Sequence, residues 1–461
     1  MNRFSLWAVC ISAFSFAQNI SQKLDKSISN LLNTNEAYSA NISFFVSDSK
    51  GNLIYEYQGN KGLSTASTQK IFSAGAALET LGSSYRYTTT VSYSGKVESG
   101  NVSGDIIITS NGDPTLGSWR YEGYKPEDFK QKLLSSLTQN NISKISGNII
   151  IDDSWFDLQT IPGGWAWDDL GNYYGAGVWG VNWRENQFDL NIKGSEIQSA
   201  NIPLPNLHWA SELKAKGSTD QSLIFTAPHS EVALINGNLP SGKLMTVSGA
   251  TPNPPLSLGY EVKSWLKEAQ ISFSGEILTS SGEKFKGNAS PLPSSSTKIL
   301  EYYSPTLDKI VFWFLRKSVN LYGETFIKTI AKEKTGESNY KTGTALLKNF
   351  WTSKAGIHKA MINFADGSGL SPQNYVSAKA EVQALLWAKK QNWFNAFYDA
   401  LPTLNGMKMK SGTIRNTKSF AGYHNGYTFS IIINNYQGNN ATEACSCPAQ
   451  AGLNLGNVLA V

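Results

Sequence analysis

The residues best suited to chemistry stand where an alanine-rich apolar run begins, in STASTQKIFSAGAALETL at positions 64–81. Ser67 and Lys70 lie three apart, so a helix opening there projects both side chains from one face. A hydroxyl at neutral pH is a weak nucleophile and needs an adjacent base. Lysine serves when burial and neighbouring positive charge lower its pKa. The amides at a helix N-terminus can meanwhile stabilise a developing oxyanion. The competing reading is that Ser67 merely caps the helix.

Spacing alone decides little, because seven S-x-x-K matches occur, six of them starting at Ser47, Ser211, Ser264, Ser281, Ser295 and Ser338. Those six fall in turns, polar loops or helical patterns with a solvated face, where lysine stays charged. Ile71, Phe72, Ala74, Ala76, Ala77 and Leu78 instead make the segment after Ser67 apolar nearly all round, as in a helix at the centre of a domain. Two later patterns add chemistry. KSVN at 317–320 sets Ser318 and Asn320 after the apolar IVFWFL run, and KSGT at 410–413 sets Lys410 and Thr413 along an alternating, strand-like segment. K-T-G also occurs at Lys334 and Lys341, but the first ends a helical pattern and the second precedes the helix-like TALLKNFW.

The chain that must position these residues has 461 residues, 41% of them hydrophobic, enough for two or three domains. A net charge of +5 without a Lys/Arg cluster excludes a nucleic-acid binder, and four histidines without zinc spacing exclude a zinc hydrolase. MNRFSLWAVCISAFSFA, residues 1–17, reads as a secretory signal cleaved near Ala17. Cys10 lacks the small residues that precede a lipoprotein cysteine, and no later run approaches a membrane span, so the mature chain is expected to be unanchored. Cys445 and Cys447 remain in a C-terminal CSC and are read as a tail, not a metal site.

After an amphipathic helix around Leu24–Leu32, a hairpin around DSKGN and the Ser67 helix, the character changes near residue 86 to short strands and turns. A weak echo recurs there, SGDIII at 103–108, SGNIII at 146–151 and SGEIL at 274–278, suggesting a repeated hairpin opening. Helical patterning returns after GNASPLPSSSTK at 287–298. The expectation is an α+β domain formed by residues 18–86 and 291–461, interrupted by a β-rich insertion at 87–290 with room for two subdomains.

The order S-x-x-K, S-x-N, K-[ST]-G-T is the pattern of penicilloyl-serine transferases. With NGDPTL (111–116), GWAWDDLGNYYGA (164–176) and DGSGLS (366–371), the mature chain resembles the S13 family of D-alanyl-D-alanine carboxypeptidases, class C penicillin-binding proteins that also act as endopeptidases. The resemblance implies a β-lactamase/transpeptidase-like fold, an antiparallel sheet with helices. It also implies an acyl-enzyme on Ser67, with Lys70 as base, Ser318 as proton relay and Asn320 bonding the substrate backbone. Lys410, Ser411, Gly412 and Thr413 would form the substrate-binding stretch, in which Lys410 and Thr413 bind the terminal carboxylate, with the Ser67 and Thr413 amides forming the oxyanion hole. No metal or cofactor is implied. The partners would be periplasmic peptidoglycan stem peptides, with β-lactams as covalent inhibitors. Ser411 replaces the commoner Thr of the third motif and Val319 fills the second, both keeping the functional groups. Asp366 reads as a turn residue, and Trp165, Trp167, Tyr173 and Tyr174 read equally as core or as a groove border. A serine β-lactamase using the same residues, and a penicillin-binding scaffold with a vestigial site, remain alternatives. A Ser-His-Asp hydrolase lacks its G-x-S-x-G elbow.

Overall fold

The structure, a computed structural model, describes residues 20–437. The proposed signal segment and the CSC tail lie outside them. The described chain packs as two units: one holds the residues up to Thr80, Val311–Ser318 and those from Thr344 onward, the other Leu81–Ile310 and Val319–Gly343. Residues 291–310 and 319–343 thus pack with the β-rich part of the chain.

The first unit is built on a six-stranded antiparallel sheet, ordered Leu53–Tyr57, Asn41–Ser47, Tyr427–Asn434, Thr417–His424, Met407–Ile414 and Thr403–Leu404. Tyr427–Asn434 is buried on both faces, as FSIII predicts for a central strand. Its hairpin turns on Asn425 and Gly426, both at positive φ (45° and 83°), the two-residue turn whose twist matches the strands. On one face Ile20, Leu24 and Ile28 of a helix at 20–32 pack with Phe44, Val46, Met409, Phe429 and Ile431. The other face carries helix Ala378–Ala388, whose Ala378 and Val382 pack on Phe45.

Helix Lys70–Leu81 is buried without a break from Lys70 to Leu78. Phe72 meets the edge of Trp351, and Trp351, Trp387 and Trp393 follow in successive contacts of 5.3 and 5.8 Å. Each such side chain contributes about 1.5–3 kcal/mol on burial, which fixes the helix rigidly in its unit.

In the second unit the SG echo has a different meaning from a hairpin opening. Strands Ile106–Ser110, Ile149–Asp152 and Ile277–Thr279 are parallel neighbours in one five-stranded sheet, in register at Ile106, Ile149 and Ile277. Upstream, Asn101–Val102, Lys144–Ile145 and Ser272–Phe273 are likewise parallel neighbours. Helices Pro126–Gln139 and Pro254–Glu268 supply the crossovers that parallel strands require. The glycines recur because the turns stack: a Cβ on Gly147 would stand 2.4 Å from the Gly104 carbonyl oxygen, and one on Gly275 2.0 Å from that of Gly147.

Candidate active site

Ser67 lies in a 3₁₀ turn, Ala66–Gln69, that runs directly into helix Lys70–Leu81. Side chains three apart nearly eclipse in a 3₁₀ turn. The Lys70 Nζ accordingly donates to Ser67 Oγ at 2.9 Å, and also to the Ser368 carbonyl at 2.8 Å. Lys70 is fully buried, with Nζ 5.7 Å from the centre of the Phe314 ring, while Ser67 is half-buried. Ala66 enters the turn at φ +49°, a left-handed conformation that costs a non-glycine residue about 1 kcal/mol or more. The approach is pinned by Asn434, which accepts from the Ser64 amide at 2.9 Å and donates to its carbonyl at 2.8 Å.

The Ser368 carbonyl belongs to DGSGLS. Asp366, fully buried, accepts from the Gly369 amide (2.7 Å), the Ser371 amide (2.6 Å), Asn374 Nδ2 (2.9 Å) and Gln69 Nε2 (3.1 Å). Ser73 Oγ donates to the Gly367 carbonyl at 2.5 Å, and Gly369, at φ +86°, brings its backbone against the Ala66 carbonyl. Asp366 is therefore a turn residue, and its turn carries an acceptor that holds Lys70.

Strand Met407–Ile414 closes the other side of the turn. A Cβ on Gly412 would stand 2.5 Å from the Thr65 carbonyl oxygen and 2.8 Å from the Ser67 amide nitrogen. Ser419, paired with Gly412 on the neighbouring strand, donates to the Thr65 carbonyl and lies 3.0 Å from Thr68 Oγ1. Lys410 is buried, donates to the Ser411 carbonyl at 2.7 Å, and has its pKa lowered by burial to about 7. Thr413 is exposed and accepts from Lys418 Nζ at 2.9 Å. The competing triplets at Lys334 and Lys341 are helical.

Ser318 breaks the chain between helices Leu307–Lys317 and Asn320–Thr335, at φ +58°, in the same unit as Ser67 and four residues after Phe314. Asn320, two residues on, opens its helix in the second unit and donates from Nδ2 to the Tyr174 carbonyl at 2.8 Å, which ties it to the GWAWDDLGNYYGA segment. In that segment Trp165 is buried, whereas Trp167 and Tyr173 are exposed.

Residues 24–450 match the D-Ala-D-Ala carboxypeptidase 3 (S13) family. The chain belongs to that family. Membership makes it a serine-type D-Ala-D-Ala carboxypeptidase, a hydrolase. It is 25% identical over 367 residues to the D-alanyl-D-alanine carboxypeptidase DacB of Haemophilus influenzae, covering 76% of this chain and 71% of that one. It is 24% identical over 437 residues to a D-alanyl-D-alanine carboxypeptidase of an Actinomadura species, covering 85% and 77%. The crystal structure of penicillin binding protein 4 (dacB) from H. influenzae superposes with a TM-score of 0.76 at 21% identity, over 96% of this chain and 99% of that one, and shares its α+β fold. No helix among the described residues of this S13 enzyme is long and apolar enough to cross a membrane.

Within the first unit the fold brings Ser67, Lys70 and the Gly412 backbone together. The Ser368 carbonyl and the Thr65, Thr68 and Ser419 cluster have no counterpart in the sequence reading. A backbone acceptor leaves no residue-type signal, and small hydroxyls are too common to stand out.

Proposed function

We propose that this S13 enzyme cleaves the D-Ala-D-Ala bond of peptidoglycan stem peptides through an acyl-enzyme on Ser67, and that β-lactams acylate the same serine. Ser67 Oγ attacks the penultimate D-alanine carbonyl and its proton passes to Lys70 Nζ. The Ser67 and Thr413 amides stabilise the oxyanion. As the C–N bond breaks, Ser318 relays a proton to the departing D-alanine amine. Water then attacks the ester, again losing its proton toward Lys70, and frees Ser67. Asn320 hydrogen-bonds the substrate backbone, and Lys410, Ser411 and Thr413 receive the terminal carboxylate, with Gly412 leaving room for the turn behind. The same acyl transfer accommodates endopeptidase action on cross-links, in a periplasmic enzyme delivered by cleavage near Ala17.

The observation that carries this reading is the 2.9 Å contact between Lys70 Nζ and Ser67 Oγ, on a buried amine beside a half-buried alcohol. The test is mass spectrometry after benzylpenicillin. One covalent adduct on the tryptic peptide carrying Ser67, absent in Ser67→Ala, is expected together with D-alanine release from a pentapeptide. An adduct on another serine, or none, overturns the acyl-enzyme. Rapid nitrocefin turnover without D-alanine release would instead make the protein a β-lactamase.

A further inference from the structure

Among the buried acids that the mechanism leaves unused, one stands beside the turn that carries Ser67. Glu381 lies on helix Ala378–Ala388 with no solvent exposure. Its Oε2 accepts from Ser430 Oγ of the central strand at 2.6 Å. Its Oε1 is buried without a hydrogen-bond partner among the described residues, and the Thr68 hydroxyl, next in sequence to Ser67, lies close enough to the carboxyl to act on it.

Counting protons shows what this placement does. Thr68 Oγ1 has one hydrogen and two acceptors already at 3.0 Å, the Thr65 carbonyl and Ser419 Oγ. Ser419 in turn donates to the Thr65 carbonyl and abuts Gly412. A protonated Glu381 can donate to Thr68, Thr68 to Ser419 and Ser419 to Thr65, so every member of the line is satisfied. An ionised Glu381 can only accept. It would draw the Thr68 proton away from Ser419, leaving the Ser67 turn held to the neighbouring strand by the Ser419–Thr65 bond alone.

We infer that Glu381 is a positioning residue whose protonated form, through Thr68 and Ser419, holds the Ser67 turn against the Lys410–Thr413 strand, and whose ionisation loosens it. This rests on the acyl-enzyme reading for its catalytic consequence. Burial raises the Glu381 carboxyl to about 7, with Ser430 and Thr68 pulling the other way. No ion pair among the described residues offsets it. On its own helix Lys379 lies over the Phe45 ring and Lys389 donates to Thr428. On the packed strands Tyr423 donates to the Leu385 carbonyl, Tyr427 and His424 stand at the hairpin end, and Tyr375 is on the short strand Tyr375–Ser377. Lys70 follows the turn itself, bonded to Ser67 and Ser368.

The test compares wild type with Glu381→Gln, which stays neutral, by hydrogen exchange of the peptide spanning residues 64–72 and by acylation with a fluorescent penicillin, both as a series from pH 5 to 9 that includes pH 6 and 8. A carboxyl titrating near 7 loses about tenfold of its protonated fraction between pH 6 and 8. Protection of the segment and the acylation rate of wild type should therefore each fall about tenfold relative to Glu381→Gln. Ser430→Ala, which removes a hydrogen bond favouring the charged form, should move the midpoint to higher pH. Equal pH dependence of protection in wild type and Glu381→Gln, or an unmoved midpoint in Ser430→Ala, would overturn the proposal. Absence of penicillin labelling at Ser67 in every variant would sink the acyl-enzyme reading instead, with exchange still deciding the role of Glu381.

Discussion

Replacing Gly412 by alanine adds one methyl group at the place where strand and turn are closest. The new Cβ would stand 2.3 Å from Ser419 Oγ, 2.5 Å from the Thr65 carbonyl oxygen and 2.8 Å from the Ser67 amide nitrogen. The serine hydroxyl can rotate away, but the other two atoms are backbone. To reach 3.4 Å, where ordinary contact begins, the Thr65 carbonyl must retreat 0.9 Å and the Ser67 amide 0.6 Å. Gly412 lies in regular strand, so alanine is conformationally acceptable there and the effect is steric alone. Displacing a reacting group by about 1 Å costs on the order of a hundredfold in rate, or about 2.7 kcal/mol of transition-state stabilisation. The overpacking itself should cost about 1–3 kcal/mol of stability. Stopped-flow acylation with a fluorescent penicillin, alongside denaturant unfolding, measures both. Acylation within threefold of wild type at unchanged stability would mean that the turn and strand are not rigidly apposed, and the reasoning would fail. Ser411→Thr, which adds its methyl to a half-buried neighbour on the opposite strand face, should stay within threefold.

Three further changes probe the surroundings. Lys410 has its pKa lowered from 10.5 to about 7, so the folded chain binds fewer protons than the unfolded chain between those values and stability should rise with pH across pH 7–10.5. Lys410→Met should abolish that slope and gain on the order of 2–4 kcal/mol at pH 7 in urea unfolding, while removing carboxylate binding. Glu381 has its pKa raised to about 7, so its contribution is complete below the unfolded carboxyl pKa and is lost as pH rises through 7. The difference in unfolding free energy between wild type and Glu381→Gln should shift by up to about 3 kcal/mol between pH 4.5 and 8, and a constant difference would contradict it. Asp366→Ala removes four hydrogen bonds to a buried carboxylate, at about 1.5–3 kcal/mol each where no other acceptor takes over, while Gln69 Nε2 and Asn374 Nδ2 keep the Asp366 and Ser371 carbonyls. It should cost at least about 3 kcal/mol in urea unfolding and slow acylation by releasing the Ser368 carbonyl from Lys70; wild-type stability in this variant would refute that role.

What could be read in the sequence was local. The Ser67–Lys70 pairing needs only three residues of spacing and an apolar context, and the 3₁₀ pitch tightens that relation without changing it. Alternation around Lys410 and helical periodicity around Lys334 and Lys341 are also local patterns, and they favour Lys410. Pairing is not local. The three SG segments look like hairpin openings until Ile106, Ile149 and Ile277 are seen side by side in parallel, joined by crossovers dozens of residues long. The extent of each unit follows the same logic, since helix Asn320–Thr335 packs with the β-rich residues although its sequence periodicity says only that it is a helix. Glu381 shows the limit most clearly. In AKAEVQALLWAKK a glutamate near a helix start reads as a solvated residue favoured by the helix dipole. Its burial against Ser430 and Thr68 depends on a sheet assembled from strands at both ends of the described chain. A carboxyl brought there by distant segments carries an energetic cost that no sequence window contains. The same long-range assembly that hides it from a sequence reading places it beside Thr68, next in sequence to the proposed nucleophile Ser67.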